Sequence, residues 1–264
     1  MRGAVASSWT VAMTIKKKTL NLHELKVSCQ NCTLADLCLP HGMRSEEMEK
    51  LDAIVVRQQP IQPGQHLYRP GDKSHSLFAL RSGALKSYCL TKDGEEQVLG
   101  FTLPGELTGM DGLCGGSYES ASVVLETSSI CELPFNKLEG LCHDLPGLQR
   151  QLLNVVGKEI TSDQHMLMLL GKRSAEERLA SFLLSLSTRY KQRSLSATEF
   201  NLPMSRQDIG NYLGLAIETV SRLFAQFQEK GILKVNRRQI SILDMDSLKV
   251  MVEGCVKQTM GSAM

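Results

Sequence analysis

Three of the eight cysteines fall within ten residues, Cys29-x2-Cys32-x5-Cys38, on a segment that Pro40 ends. Thiolate is a soft ligand, and a short irregular segment lets three sulfurs converge on one soft metal centre. A fourth ligand must come from elsewhere in the chain. Iron–sulfur clusters and tetrahedral zinc both accept four cysteines, although structural zinc usually takes two separated C-x2–4-C pairs. Ordinary buried thiols are a third reading, and the spacing leaves all three open.

A second chemistry lies between Pro203 and Phe224. Ser205 followed by Asp208 resembles a capping box that opens a short helix, with Ile209 and Leu213 facing inward. Gly210 permits a close helix approach, Gly214 stands where the chain must turn, and Val220 and Leu223 carry a second helix inward. This is the pattern of a helix-turn-helix. Near the start of the second helix Glu218, Ser221 and Arg222 face outward, and they match base edges: Arg for guanine, Glu for the cytosine amine, Ser for either kind of group. Leu233 to Leu243 then reads as a hairpin whose tip, Arg237 and Arg238, is placed to reach phosphate. Ala216 stands where a capping Ser or Thr usually opens such a helix, a loss of about 0.5–2 kcal/mol.

These groups must be positioned by ordinary folded domains. At 264 residues the chain is long enough for two, and 42% hydrophobic with 22% charged residues is a globular balance. No run approaches the roughly 18 apolar residues of a membrane span. The first 18 residues place a weakly apolar stretch ahead of Lys16-Lys17-Lys18, the reverse of a secretory signal, so a cytosolic setting is expected. There the cysteines are read as ligands or free thiols, not as a disulfide framework. Met13 is as acceptable a start as Met1, because residues 1–12 carry no structural pattern. The net charge of +2 is uneven: residues 171–240 hold twelve Lys and Arg against six Asp and Glu, a local +6 that suits a polyanionic partner.

From Arg57 to Pro134, turn signals recur about every ten residues, at Arg69-Pro-Gly-Asp72, Arg81-Ser-Gly83, Lys92-Asp-Gly94 and Leu103-Pro-Gly-Glu106. Short alternating runs, Ser76–Leu80, Ala84–Tyr88 and Gln97–Phe101, lie between them. That texture predicts an antiparallel barrel or jelly roll, with Asp93-Gly94 a hairpin tip. After Pro146 a helix is expected to about Leu170. Its Leu153, Val156, Ile160, Leu167 and Leu170 form a heptad seam in which Asp163 fills the missing apolar place. Another amphipathic helix is expected over Ala175–Tyr190.

A barrel, a long seam helix and a C-terminal helix-turn-helix with a wing resemble, over about Cys29 to Leu243, the cyclic AMP receptor and FNR superfamily of bacterial transcription regulators. The cysteine group resembles the fumarate and nitrate reduction branch, including the anaerobic regulators of arginine deiminase. In that branch the fourth ligand lies in a Cys-Glu-(Ile/Leu)-Pro-Phe context, here Cys131 to Phe135. Cys89, Cys114, Cys142 and Cys255 match nothing in it.

The resemblance implies an α+β chain: an N-terminal antiparallel β-roll of the cyclic-nucleotide-binding kind, a long dimerisation helix and a C-terminal winged helix-turn-helix. The corresponding divisions are an extension over residues 1–28, a sensor segment and roll over 29–144, the helix over 145–172, the DNA-binding domain over 173–250 and a tail over 251–264. The resemblance further implies a regulator, not an enzyme, whose oxygen-labile [4Fe-4S] cluster sits on Cys29, Cys32, Cys38 and Cys131. The active form would be a homodimer paired through Leu153, Val156, Ile160, Asp163, Leu167 and Leu170, with the two Asp163 carboxylates opposing each other. It would bind TTGAT-N4-ATCAA-like palindromes to activate or repress anaerobic genes, and touch RNA polymerase at Ser82, Gly94 and Thr127. The alternatives are structural zinc, or a cyclic nucleotide effector. Against the latter, Gly105-Glu106 is not followed by the expected Arg-Ser: no arginine occurs from Leu107 to Gly147. No nucleophile with a partner and no ferredoxin spacing favours an enzyme or electron carrier.

Overall fold

The computed structural model describes residues 28–253, so residues 1–27, with both possible starts, and Cys255 lie outside it. Two one-turn 3-10 helices, Cys29–Asn31 and Ala35–Leu37, lead into α1 (Ser45–Ile54). The roll comprises β1 (Val56–Arg57), β2 (His66–Tyr68), β3 (Ser76–Leu90), β4 (Glu96–Thr102), β5 (Leu107–Thr108), the single turn α2 (Gly112–Gly115), and β6 (Ala121–Pro134). Its spine is the long antiparallel pair β3 and β6, in register from Ser76 opposite Pro134 to Tyr88 opposite Ala121. The strands run β1-β6-β3-β4, with β2 on β6 and β5 on β3.

The turn expected at Arg81-Ser-Gly83 is not a chain reversal, because β3 continues through it. The register against β6 slips at these residues, and Gly83 takes a positive φ of 90°. A Cβ there would stand 2.2 Å from Ser128 Oγ, so the glycine bends the strand tightly onto β6. Asp93-Gly94 does form the β3–β4 hairpin tip, with Gly94 at φ 81°.

Next come α3 (Phe135–Asp144) and α4 (Pro146–Lys172), with Pro146 in the first helical turn. The amphipathic helix α5 (Ala175–Gln192) starts on a Ser174/Glu177 capping box. The C-terminal unit contains β7 (Glu199–Asn201), α6 (Arg206–Leu213), α7 (Ile217–Glu229), β8 (Leu233–Asn236), β9 (Gln239–Ile242) and α8 (Met245–Glu253). Ser205 and Asp208 close the expected capping box. Gly214 ends α6 at φ 62°, and a Cβ on Gly210 would lie 2.6 Å from the Leu215 carbonyl oxygen. Ile209, Leu213, Val220 and Leu223 are all buried, as their spacing predicts. Ala216 opens α7 with no side-chain cap. The wing is three-stranded, β7-β9-β8. Helix α8, which no sequence pattern announces, crosses residue 250 and buries Leu248.

Two cores fill the roll. Leu77, Leu133, Leu138 and Leu148 join the sheet to α3 and the start of α4, while Tyr68, Phe78 and Tyr118 stack inside, Tyr68 and Tyr118 with ring centres 4.1 Å apart. A third core passes without a break from Val98, Phe101 and Leu103 of the roll into Phe182, Ile209, Leu223 and Phe227 of the C-terminal unit. Polar ties surround this joint. Buried Lys86 reaches Glu96 and Asp208, both at 2.9 Å, and the Asn211 side chain accepts from the Val98 N–H at 2.5 Å and donates to the Glu96 carbonyl.

Glu106 accepts from Arg189 of α5 and, at 2.7 Å, from Arg193, the residue that caps the C-terminus of α5. Burial pushes the Glu106 carboxyl up, but the two guanidinium groups outweigh it and hold the group below the usual carboxylate range. A carboxylate whose pKa is depressed by folding stabilises the fold above its unfolded value, about 4.3, and loses that contribution as pH falls toward the folded value. Glu106→Gln should therefore be less stable than the parent at neutral pH and should lose less stability on acidification below about pH 4.3. Denaturant midpoints measured across pH check this.

Candidate metal centre and nucleic-acid interface

The cysteine segment is wound by successive tight turns. Cys29 O accepts from the Cys32 amide at 3.3 Å, Cys32 O from Ala35 at 3.1 Å, and Cys38 O from His41 at 3.2 Å. Leu39 anchors the segment in the core, and Leu37 lies over Gly105, where a Cβ would come within 2.9 Å of the Leu37 Cβ. Cys131 arrives from a different element, β6, at a position paired with Ala79 and with Arg57.

All four thiols, Cys29, Cys32, Cys38 and Cys131, line a single pocket with Leu34, Leu39, Leu51, Leu80, Leu133 and Arg81. No Asp, Glu or His lines it, so the donor set is purely sulfur. Among the described residues no three His, Cys, Asp or Glu side chains are grouped as a metal site, and the sulfurs share the pocket as free thiols. In donor chemistry, four thiols with no oxygen or nitrogen ligand, the pocket matches a tetrathiolate centre. Burial raises the Cys29 thiol to about 12, with help from Asp52, and raises Cys38 to about 12 as well. Burial also raises Cys131, against the opposing charges of Arg57 and Arg81. Thiols in such a site stay neutral until a metal takes the proton's place.

The surroundings include residues that sequence reasoning missed. Asp52 on α1 accepts the Cys29 backbone N–H at 2.7 Å and is paired with Arg57, whose Nη2 lies 3.8 Å from Cys29 Sγ. Asp52 and Arg57 lie outside the cysteine motif and carry no local signal. Cys38 and Cys131 border the same core as Leu152 and Val155 of α4. His41 shares a surface groove with Leu153, Gly157 and Thr161. The end of the cysteine segment and the start of α4 thus border one core, and His41 and α4 line one groove.

In the roll, the polar groups of Gly105-Glu106 and of Glu119-Ser120 are paired within the chain. Glu106, the acidic residue of the Gly-Glu pair, is committed to α5. Where Glu119 and Ser120 replace the expected Arg-Ser, the Asp111 carboxylate accepts from both backbone amides, at 3.1 and 2.9 Å, and from the Ser120 hydroxyl at 2.7 Å. The donors that would cradle an anion are already engaged by one.

On α7, Glu218, Ser221 and Arg222 are exposed together one turn from its start, while Val220, Phe224 and Phe227 fix the helix from behind. Arg206 stacks on Phe224, 3.4 Å from the ring centre, pinning α6 to α7. Arg237 and Arg238 are exposed at the β8–β9 tip, Arg237 with φ 55°. The outward residues of α7 and the arginines of the hairpin tip thus stand on two separate elements of one domain.

Along α4, Leu153, Ile160 and Leu167 are 65%, 53% and 71% exposed, an apolar stripe at exact heptad spacing. Val156 and Leu170 are half-buried, and Asp163 is exposed with its charge felt at Glu159 and Tyr212. Ser82 pairs with Ser129 beside the Gly83 bend, where Thr127 lies against Gly83, whereas Gly94 sits apart beyond the far end of β3. Of the unmatched thiols, Cys142 is buried, Cys89 half-buried and Cys114 exposed.

Known proteins agree with this architecture. A cyclic nucleotide-binding domain family matches residues 58–144, and a Crp-like helix-turn-helix family matches 177–251. The transcriptional activator protein Anr of Pseudomonas aeruginosa is 46% identical over 92% of this chain and 98% of its own. The fumarate and nitrate reduction regulatory protein of Escherichia coli K12 is 46% identical over 84% and 89%. The solved structure of FixK2 from Bradyrhizobium japonicum superposes with a TM-score of 0.69 at 30% identity, covering 75% of this chain and 97% of that one. A roll followed by a helix-turn-helix unit of this kind defines a DNA-binding transcription regulator, not an enzyme. The chain belongs to the Crp/Fnr family, in its FNR and Anr branch. Among the described residues no helix is long and apolar enough to cross a membrane.

The shared pocket separates the cysteines into two classes. Serine at Cys29, Cys32, Cys38 or Cys131 should abolish anaerobic retention of bound iron, whereas serine at Cys89 or Cys114 should leave it at the parent level. Iron analysis of anaerobically purified variants decides between these outcomes.

Proposed function

We propose that this chain is an oxygen-responsive global regulator of the cytoplasm in which Cys29, Cys32, Cys38 and Cys131 hold a [4Fe-4S] cluster. The observation that carries the reading is the single all-sulfur pocket built from a loop and a distant strand, in a chain of the FNR and Anr branch. When bound, such a cluster supplies a centre that oxygen can dismantle. The chain's own residues do the rest. Binding through four thiolates ties the cysteine segment to β6, and Cys38 borders the core that seats the start of α4, whose exposed Leu153, Ile160 and Leu167 suit pairing with a second copy.

In that pair Asp163 stands in or beside the two-fold seam, where like carboxylates repel and burial further disfavours their charge. The monomer–dimer equilibrium is then close to balance, and ordering of the cysteine segment tips it. The dimer presents two copies of α7 to successive major grooves of a TTGAT-N4-ATCAA-like palindrome, half-sites about one helical turn apart. Glu218, Ser221 and Arg222 read bases, while Arg237 and Arg238 hold phosphate. Ser82, Thr127 and Gly94 form surface contacts to RNA polymerase, by which bound promoters of anaerobic genes are activated or repressed.

Two experiments test this reading. Asp163→Ala should sediment as a dimer and bind the palindrome in air; a variant that stays monomeric like the aerobic parent removes Asp163 from the scheme. Arg222→Ala should relax discrimination at one base pair by about 1–3 kcal/mol, while Arg237→Ala should weaken specific and random DNA alike and reduce the salt dependence. Binding titrations on both kinds of DNA over a salt series check this, and equal losses on both from the two changes contradict the assignment.

A further inference from the structure

Arg57 occupies an unusual place. It forms the end of β1 directly opposite Cys131 on β6, while its guanidinium crosses to the other half of the site, 3.8 Å from Cys29 Sγ. One side chain therefore spans the strand ligand and the first ligand of the loop. Asp52 holds it there, pairing with Nη2 while the same carboxylate oxygen accepts the Cys29 amide. The Arg57 side chain is only 20% exposed, and its Nε is fully buried with no hydrogen-bond partner. A buried N–H without an acceptor costs about 1–3 kcal/mol, so such a group calls for an account. Asp52 satisfies only part of the guanidinium, and no described protein acceptor takes the remaining Nε donor.

A loaded site would bring anionic sulfur acceptors to this donor. Thiolates are anionic acceptors where thiols are weak ones, and N–H donors to the sulfurs of an iron–sulfur centre stabilise and tune it. We infer that Arg57, steered by Asp52, is a positioning residue of the four-thiol centre, clamping Cys29 to the Cys131 strand and donating N–H to the sulfurs of the loaded site. Arg81, which lines the pocket beside Cys131, adds a second positive charge without reaching across it. The inference rests on the iron–sulfur reading above and adds a residue that lies outside the cysteine motif.

The test compares the parent with Arg57→Gln and Arg57→Lys, each reconstituted without oxygen and assayed for iron and sulfide. The variants are then followed by visible absorbance during iron release to a chelator, and separately after addition of air. Arg57→Gln should lose its visible absorbance about 10-fold faster than the parent in both assays, the low end of what removal of an outer partner costs. Arg57→Lys, which keeps the charge but not the fork, should fall between the two, a graded recovery that a purely structural strut would not give. If Arg57→Gln does not load, Asp52→Asn, which leaves the guanidinium but loosens its hold, should still show faster loss. Parent-like release in whichever of these two variants loads overturns the inference. A parent that holds iron without sulfide, or zinc, overturns the iron–sulfur reading itself and this inference with it.

Discussion

The arrangement depends on how the segment from Cys29 to Pro40 is held. Neither of its one-turn helices buries a residue of its own. Ordering backbone costs about 1–2 kcal/mol per residue, and two single turns recover little of that. The segment is retained by Leu39 in the core, by Leu37 over Gly105, and by the Asp52 carboxylate on the Cys29 amide. Four sulfur bonds to one bound centre would convert this modest attachment into a firm one.

What lies beneath the segment gives its order a structural reach. Gly105 supports Leu37, and the next residue, Glu106, accepts from Arg189 of α5 and from Arg193 at its C-terminal end. On the other side Cys38 and Cys131 border the core that seats the start of α4. The roll and the reader share a continuous apolar core and the Lys86, Asn211 and Glu106 ties, so the C-terminal unit has a defined seat on β4. That same commitment of Glu106, with Asp111 closing the Glu119 and Ser120 amides, engages the polar groups at these positions of a cyclic nucleotide-binding fold within the chain itself.

Much of this was legible in the sequence because it rests on local rules. The Ser205/Asp208 cap, the glycines at 210 and 214, the inward Val220 and Leu223 and the heptad spacing on α4 are short-range patterns, and each appears in place. The cysteine spacing showed that a centre was possible, but Cys131 was reached only through resemblance, since β-pairing brings it to the loop across about a hundred residues. The Arg81-Ser-Gly83 signal misled because a glycine that bends a strand and one that reverses it look alike until Ser128 is seen against it. Arg57, Asp52 and the Glu106 pairs are contacts between distant segments, and no local pattern announces them.

The central claim is that an all-sulfur pocket holds an oxygen-labile group whose presence sets the pairing of α4. It is tested most directly by sedimenting anaerobically purified protein before and after exposure to air, with iron and acid-labile sulfide measured on the same samples. The account predicts about four iron and four sulfide per chain in a dimer, and a monomer stripped of both after air, as a [4Fe-4S] switch requires. Protein that carries zinc without sulfide, or an oligomeric state indifferent to air, would contradict it.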